Sequence, residues 1–211
     1  MSFVINNFNK VKAVVGNNAN IIAVSKSFEY KHIEPLVIAG HKHFGENKVQ
    51  EAKLKWLSVK NKMPDINLHM IGRLQSNKAK EAVELFDYIH SLDNLKLANL
   101  LSKFETVLSK KRKYFIQVNL GRETQKNGIL IENVNSFYKQ CSEELKLNVI
   151  GLMTIPPNDN NSSQHFRNLL KLNESLGLRE LSMGMSADYF EALKNKSTFI
   201  RIGSAIFGSR N

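Results

Sequence analysis

Short apolar segments alternate with amphipathic segments along almost all of the 211-residue chain, and this alternation limits the folds that the chain can adopt. Polar residues or glycine follow each apolar segment, as is typical of strands in a parallel sheet. The predicted strands are Ile21–Ser25, His43–Phe44, Leu68–Ile71, Tyr88–His90, Tyr114–Asn119, Val149–Met153, Glu180–Ser182 and Phe199–Ile202. About eight strand–helix units predict an α/β fold, a single (β/α)8 barrel of the TIM type, with residues 1–211 as one domain.

Between the predicted strands, apolar residues recur at the spacing of amphipathic helices. Helices are predicted over Ile33–Ala39 and Lys48–Leu57, and a third runs through Phe166 and stops at Gly177. The clearest helix follows Asp93, its predicted N-cap. Its apolar stripe consists of Leu97, Leu100, Leu101, Phe104 and Leu108.

An open, doubly wound sheet is the alternative architecture for the same alternation. Such a sheet needs a phosphate loop, typically G-x-G-x-x-G, after its first strand. Here the first strand is followed by residues 25–28, which contain no glycine. The glycine-containing turns follow the seventh and eighth strands instead, at 183–186 and 203–204, which is the usual phosphate position in barrel enzymes. The sequence therefore favours the closed barrel.

Lys26 ends the first strand, and Gly203 and Ser204 follow the last one, so barrel closure makes them neighbours. A lysine leaving an apolar strand loses its proton easily and can attack a carbonyl, because desolvation disfavours the charged form. A Gly-Ser turn that opens a helix offers backbone N–H groups, a hydroxyl and the positive end of the helix dipole, which suit a phosphate. Taken singly, Lys26 is typical of an exposed lysine and Arg201 of an ion-pair partner. Their joint position predicts a pocket for a phosphorylated carbonyl compound.

Composition limits the other possible functions. The net charge of +11 raises nucleic acid as a partner, but the 30 basic residues are spread along the chain without a docking motif, which leaves a nucleic-acid-binding module as a minor alternative. His41 and His43 have no Cys or acidic partner at ligand spacing, so no metal site is predicted.

The single cysteine, Cys141, excludes an internal disulfide framework and fits a reducing compartment. It lies on an apolar helical stripe, so a packed, unreactive thiol is expected. The chain shows no signal-peptide segment and no apolar run of membrane-spanning length. We therefore expect a cytoplasmic protein without a membrane partner.

A set of motifs resembles the pyridoxal phosphate homeostasis proteins, also called the YggS/PROSC or PLP-binding protein family. The motifs are VSK at 24–26, FGENKVQE at 44–51, HMIGRLQSNK at 69–78, GLM at 151–153, LSMGMS at 181–186 and RIGSAIFG at 201–208. They follow the family's order and approximate spacing over nearly the whole chain. The resemblance implies a barrel of the fold-type III kind, like the N-terminal domain of alanine racemase, that holds pyridoxal 5′-phosphate (PLP) as an internal aldimine.

The resemblance also implies roles for individual residues. Lys26 matches the Schiff-base lysine, Arg201 the arginine that faces the pyridine nitrogen, and Lys126 a lysine associated with cofactor handling. Phosphate-binding positions are matched by Ser186, Gly203 and Ser204. Residues at the mouth of the barrel near the cofactor are matched by Asn47, His69 and Met153. From its residue type alone, His69 on an apolar strand is equally well read as a core histidine.

The chain departs from the family pattern at two positions. Phe28 stands where many bacterial members carry a second lysine, which puts a lysine-to-lysine relay of the cofactor in doubt. Ser204 replaces the more usual threonine and keeps the hydroxyl.

Arg201 distinguishes two kinds of function. A guanidinium is a permanent cation and a donor only, so it would leave the ring nitrogen unprotonated and the ring a weak electron sink. Racemases with such a ring add a tyrosine from a second domain, which we do not expect here. The resemblance therefore implies a monomeric PLP-binding protein that serves vitamin B6 homeostasis, buffering the cofactor or delivering it to PLP-requiring apo-enzymes. The alternative is a PLP-dependent enzyme acting on amino acids, racemase-like or lyase-like.

Overall fold

The computed structural model describes residues 2–123 and 125–208. Its strands are β1 (Asn20–Val24), β2 (His43–Glu46), β3 (Asn67–Met70), β4 (Tyr88–Leu92), β5 (Lys113–Asn119), β6 (Ile129–Leu130), β7 (Asn148–Met153), β8 (Glu180–Met185) and β9 (Phe199–Ile202). Its α-helices are α1 (Phe3–Val15), α2 (Tyr30–Ile38), α3 (Val49–Lys62), α4 (Ala79–Leu85), α5 (Leu95–Leu108), α6 (Val134–Lys139), α7 (Ser162–Ser175), α8 (Tyr189–Lys194) and α9 (Ser204–Phe207). Short 3-10 segments cover Ser76–Lys78 and Ile131–Asn133, and a π-helical turn covers Gln140–Glu144.

Eight of the strands form a closed parallel barrel in the order β1-β2-β3-β4-β5-β7-β8-β9. The barrel closes because β9 pairs with β1, with Ile22 opposite Arg201 and Ala23 opposite Ile202. The two-residue strand β6 lies beside the end of β5, outside the ring. The predicted barrel is confirmed. The alternative of an open doubly wound sheet is wrong, because every strand of the ring, including the first and the last, pairs with a neighbour on both sides.

Alternating strand residues face opposite sides, as the two-residue period of a strand requires. Ile21 and Ala23 belong to the large cluster packed between barrel and helices. Ile22, between them, belongs to a smaller cluster inside the barrel. The other buried members of that inner cluster are Tyr88, Phe115, Met153 and Phe199. The interior is therefore a packed core, and a ligand has room only at its ends.

Three local features differ from the sequence predictions. Helix α1 was not predicted, although Val4, Phe8, Val11 and Val15 recur at helical spacing and are buried. Strand β6 was not predicted either. The N-cap of α5 is Asn94, whose Oδ1 accepts the Leu97 N–H at 2.9 Å, and the predicted cap Asp93 instead accepts a hydrogen bond from the Asn94 amide. Two adjacent residues that both favour the cap position make this boundary ambiguous in sequence.

Cys141 lies in the π-helical turn and is fully buried, as the apolar stripe predicted. Burial raises the pKa of its thiol to about 12, so the thiol stays protonated and unreactive at neutral pH. Among the described residues, no helix is both long and apolar enough to cross a membrane.

Gly184 in β8 is required where this strand passes close to α8. Its φ is +94°, and a Cβ built there would lie 2.5 Å from Cβ of Ala192. Gly177 has a similar φ of +68°, but a Cβ built there has no neighbour within 4 Å, so a substitution at Gly177 measures the cost of the backbone conformation alone.

We expect Gly177→Ala to lower the free energy of unfolding by about 1 kcal/mol. Gly184→Ala should lower it by about 2–4 kcal/mol, because overpacking adds to the backbone cost. Urea unfolding of both variants measures the difference, and equal losses would contradict this account of the β8–α8 contact.

Candidate functional site

A cavity of about 550 Å³ lies at the carboxyl ends of the first and last strands of the barrel. Six of the eight predicted site residues line it, namely Lys26, Asn47, Ser186, Arg201, Gly203 and Ser204. Five of these six follow directly on strand ends: Lys26 comes after β1, Asn47 after β2, Ser186 after β8, and Gly203 and Ser204 after β9. Parallel strands bring their carboxyl ends to one face of the barrel, so residues far apart in sequence meet there.

The rest of the cavity wall is mainly apolar and was missed by the sequence prediction. It consists of Val24, Phe28, Ile71, Ile155, Met185, Ala187 and Gly208. Phe28 stacks on His32 with ring centroids 4.9 Å apart, and its ring is 5.3 Å from that of Phe207. The residue that departs from the family pattern therefore forms an aromatic wall beside Lys26.

Lys26 sits in a tight turn between β1 and α2. The Phe28 N–H donates to the Ser25 carbonyl at 3.2 Å, which closes the turn, and Ser27 adopts a φ of +66°, an unfavourable value for a residue with a side chain. Lys55 Nζ also donates to the Ser25 carbonyl, at 2.8 Å. The turn that carries Lys26 is thus fixed by contacts from α3 as well as by its own hydrogen bond.

Glu46 anchors this arrangement from the end of β2. Its side chain is fully buried, and its Oε1 accepts hydrogen bonds from Ser25 Oγ at 2.6 Å, Lys55 Nζ at 2.9 Å and Trp56 Nε1 at 2.9 Å. The Lys55 side chain is only 9% exposed, so the two charges are buried together. A buried charge is tolerated only when it is paired and hydrogen-bonded, which makes the Glu46–Lys55 pair a fixed support for the Lys26 turn.

Arg201 enters the cavity from a deeper level than Lys26, since it pairs with Ile22, four residues before Lys26. It is 4% exposed, and its Nη1 donates to the Ser182 carbonyl at 2.8 Å and to Ser182 Oγ at 2.7 Å. Its Nη2 donates to the Thr154 carbonyl at 2.8 Å. Burial lowers the pKa of Arg201 to about 10, which still leaves the guanidinium charged at neutral pH.

Two turns form the side of the cavity predicted to hold a phosphate. Asp188 Oδ1 accepts the Met185 N–H at 2.6 Å, which fixes the turn that presents Ser186. After β9, Gly203 precedes the short helix α9, whose first N–H groups have no acceptor within the helix. A Cβ built on Gly203 would come no closer than 3.5 Å to any neighbour, so packing against the protein does not require glycine at this position.

His69 and Met153 lie elsewhere. Both are completely buried in the barrel interior and do not line the cavity. Met153 belongs to the inner apolar cluster. His69 is hydrogen-bonded to His43 and His90, at 2.9 Å on each side, and its ring stacks on Tyr88. His69 is thus buried and hydrogen-bonded in the core, and its role near a cofactor stays a prediction.

Lys126 also lies outside the cavity lining. Its Nζ is 2.7 Å from Glu123 Oε2 and donates to the Pro156 carbonyl at 3.2 Å. Pro156 follows Ile155, which does line the cavity, so Lys126 contacts the residue next to the cavity wall. Residue 124, in the same segment, lies outside the described residues.

Two other observations bear on the choice of site. A larger groove of about 790 Å³ runs between α2 and α3, but apart from Phe28 it shares no residue with the cavity and contains none of the predicted site residues. Within residues 2–123 and 125–208, no three His, Cys, Asp or Glu side chains are grouped to hold a metal ion. The cavity of about 550 Å³ is therefore the candidate site.

Comparison with known sequences identifies relatives along the whole chain. The family model for the N-terminal domain of alanine racemase matches residues 2–211. The pyridoxal phosphate homeostasis protein of Synechocystis sp. is 36% identical over 212 residues, covering 96% of this chain and 97% of its own length. The protein of the same name from Schizosaccharomyces pombe is 38% identical over 207 residues, covering 92% of this chain and 86% of its own length.

Solved structures agree with the sequence comparison. PipY of Synechococcus elongatus PCC7942 matches with a TM-score of 0.90 without PLP and 0.89 with PLP bound. In both cases the identity is 33%, over 97% of this chain and 100% of PipY. Alanine racemase from Acinetobacter baumannii matches with a TM-score of 0.73 at 17% identity, over 99% of this chain and 61% of the racemase, which shows a likeness of fold alone.

The support of the Lys26 turn can be tested by removing the charge of Glu46. Glu46→Gln keeps the shape but leaves the buried Lys55 cation without its counter-charge, so we expect the free energy of unfolding to fall by about 3–5 kcal/mol. Asp65→Asn is the matched control, because Asp65 pairs with Lys42 on the exposed surface, and its loss should cost less than about 1 kcal/mol. Denaturant unfolding compares the two variants. A loss in Glu46→Gln as small as in the control would show that the buried pair does not hold the turn.

Proposed function

The chain belongs to the alanine racemase N-terminal domain family and, within it, to the pyridoxal phosphate homeostasis proteins, and we propose that it binds PLP for vitamin B6 homeostasis, buffering or delivering the cofactor. The observation that carries this proposal is the meeting of Lys26, Arg201 and the two serine-containing turns in one cavity. PipY, which shares this fold at a TM-score of 0.89, has a structure with PLP bound.

The residues of the cavity fit PLP in size and in chemistry. A volume of about 550 Å³ lies in the range of small-molecule sites. The hydroxyls of Ser186 and Ser204 and the first N–H groups of α9 suit the phosphate. Gly203 lines the cavity and has no side chain, so an anion can approach its backbone closely. When bound, PLP supplies an aldehyde that condenses with a primary amine and a ring that can withdraw electrons.

Lys26 is the residue proposed to hold the aldehyde. Its turn is held by Lys55 and by the Phe28 N–H, so the backbone that carries its amine has a defined position at the cavity, and positioning of this kind favours condensation. Val24, Phe28 and Ile71 line the same cavity and give it apolar surface. Apolar surroundings disfavour the charged form of an amine and so favour its attack on an aldehyde.

Arg201 supports a binding role without efficient turnover. At a pKa of about 10 its guanidinium remains a cation and a donor, so it cannot protonate a ring nitrogen as a carboxylic acid does. Among the described residues that line the cavity, Lys26 and Arg201 carry the ionisable groups, and no tyrosine, histidine or carboxylate joins them. Proton exchange on both faces of a substrate needs a second base.

We also propose that residues 1–211 act as one cofactor-binding domain, as a monomer in the cytoplasm, with PLP-requiring apo-enzymes as recipients. Closure of the barrel supports the monomer, because each strand of the ring is paired on both sides and offers no edge for another copy. A single, buried cysteine supports a reducing compartment.

The covalent link is tested by Lys26→Ala. We expect the variant to lose the absorption band of the covalent adduct and the label fixed by borohydride, because Lys26 supplies the positioned amine. Lys42→Ala, at an exposed lysine outside the cavity, is the control and should label as the wild type does. Peptide mapping after reduction locates the label, and a label found on Lys78 or Lys126 alone would overturn the assignment.

The binding role is tested by turnover. Dedicated enzymes typically turn over at about 1–10³ per second. With PLP bound, we expect the wild-type protein to exchange the α-proton of alanine or serine far more slowly than that, because the cavity offers one base and a permanent cation. Deuterium incorporation in heavy water, followed by NMR, measures the rate, with an alanine racemase as positive control. Steady racemisation or decarboxylation at enzyme-like rates would favour the enzyme instead.

A further inference from the structure

A row of hydrogen-bonded side chains runs through the barrel interior from Arg201, at the cavity, to His43, at the start of β2. Ser182 Oγ is 2.8 Å from His90 Nδ1, and His90 Nε2 is 2.9 Å from His69 Nδ1. His69 Nε2 is in turn 2.9 Å from His43 Nδ1. His43 is the first residue of β2, so the row connects the cavity with the amino-terminal end of the barrel. Together with Arg201, these four side chains form what we call the histidine row.

Arg201 fixes the direction of the hydrogen bonds in the histidine row. A guanidinium only donates, so Ser182 Oγ accepts from Arg201 Nη1, and its own O–H is satisfied when it donates to His90 Nδ1. With Nδ1 accepting, neutral His90 carries its proton on Nε2 and donates to His69 Nδ1. The same step repeats from His69 to His43. In the reverse direction the buried Ser182 O–H has no acceptor within the row, which costs free energy.

The electrostatics agree with three neutral imidazoles. Burial lowers the pKa of His90 and of His69 well below the usual value, and the charge of Arg201 acts on His90 in the same direction. The pKa of His43 is lowered as well, first by burial and then by Lys113. A neutral imidazole donates from one nitrogen and accepts at the other, so all the hydrogen bonds along the row can point in the same direction.

His43 is the member of the row that solvent can reach. It is partly exposed and lines a cavity of about 620 Å³ at the amino-terminal end of the barrel. The charged and titratable groups around it come from several elements. They are His41 and Lys42 from its own segment, His69 from β3, Asp87 before β4, Tyr88 from β4, Lys113 from β5, Glu180 from β8 and Lys12 from α1.

We propose that Ser182, His90 and His69 are positioning residues for Arg201, and that protonation of His43 at the far end of the barrel loosens their hold on the guanidinium. The positioning of Arg201 matters for PLP only if the proposed function holds. The hydrogen-bond direction itself is a property of the protein alone.

Lowering the pH is expected to reverse the direction of the hydrogen bonds in the histidine row. Protonated His43 donates from Nδ1, so His69 Nε2 must accept, and the direction of the whole row reverses. Ser182 Oγ then accepts from both His90 and Arg201, and its own hydrogen loses its acceptor within the row. Because burial lowers the pKa of His43 below its ordinary value of about 6.5, this change belongs to the pH range on the acid side of that value. Contact of Arg201 with a bound ring should weaken as pH falls through that range.

The first arm of the test reads the tautomers directly, without PLP. Nitrogen-15 NMR of histidine-labelled protein at pH 8 should show His43, His69 and His90 neutral with the proton on Nε2. Ser182→Ala should alter the His90 spectrum, because the donor to Nδ1 is gone. Ser91→Ala is the matched control, since Ser91 is a buried serine one residue from His90 whose hydroxyl has no hydrogen-bond partner among the described residues. Wild-type His90 protonated on Nδ1, or His90 unchanged in Ser182→Ala, would overturn the proposal.

The second arm measures PLP affinity against pH by equilibrium titration. Ser182→Ala should weaken PLP binding at pH 8 by roughly three- to tenfold, less than the full loss of one hydrogen bond to a charged group because the effect reaches PLP only through Arg201, and Ser91→Ala should leave it unchanged. His43→Gln still accepts from His69 but cannot be protonated, so it should bind like the wild type at pH 8 and lose less affinity than the wild type as the pH is lowered into the acid range. If Ser182→Ala does not fold, the wild-type tautomers and the His43→Gln profile still decide. Parallel pH profiles for wild type and His43→Gln would refute the coupling, whereas failure of the proposed function would appear as no PLP binding with the tautomers unchanged.

Discussion

The pairing of β9 with β1 is the contact on which the site depends, because it joins the two ends of the chain into one ring. It sets Arg201 opposite Ile22 and carries Gly203 to Val24, so that the last turn faces the lysine that follows the first strand. The cost of closing so long a loop grows only slowly with its length, and the helices outside the ring repay it by burying the outer faces of the strands. Without this pairing, Lys26 and Ser204 would belong to the two edges of an open sheet.

Polar groups buried in the barrel distinguish the site from ordinary core. Glu46 and Lys55 form a charged pair below the Lys26 turn, and Arg201, Ser182 and His90 form a hydrogen-bonded set deeper inside. Well-packed apolar residues in such places are often equally stable or more stable than a buried ion pair. Stability therefore does not explain these groups. Their hydrogen bonds instead hold the backbone turn that carries Lys26, and the guanidinium of Arg201, in defined positions around one cavity.

The sequence predicted the order of the strands and the face of the barrel that carries the site, because both follow from chain periodicity and from the residues just after strand ends. Lys26, Ser186 and Ser204 were predicted as site residues in this way, and the structure brings them to one cavity. The depth of a side chain along the barrel is harder to predict, since it depends on the stagger between neighbouring strands. His69 and Met153 were expected at the mouth and lie in the core for that reason. Contacts between residues that are distant in the chain leave no local sequence pattern from which they could be predicted.

Ser182 and Thr154 illustrate that last point. Ser182 appears in sequence as a small residue in an apolar strand, and Thr154 as the residue after another strand. Their roles appear only when Arg201, far away in the chain, donates to both of their carbonyls. Phe28 was recognised as a departure from the family pattern, but its place in an aromatic wall with His32 and Phe207 required the fold.

The backbone around Arg201 determines what kind of group can occupy that position. Two carbonyl oxygens, from Thr154 after β7 and Ser182 in β8, each lie 2.8 Å from a guanidinium nitrogen. Carbonyls accept and never donate, so they satisfy a cationic donor and would repel a carboxylate. An acidic residue at position 201 would face these oxygens without a counter-charge, at the cost of an unpaired buried ion. The strands beside position 201 therefore favour a cationic donor such as arginine there over a carboxylate.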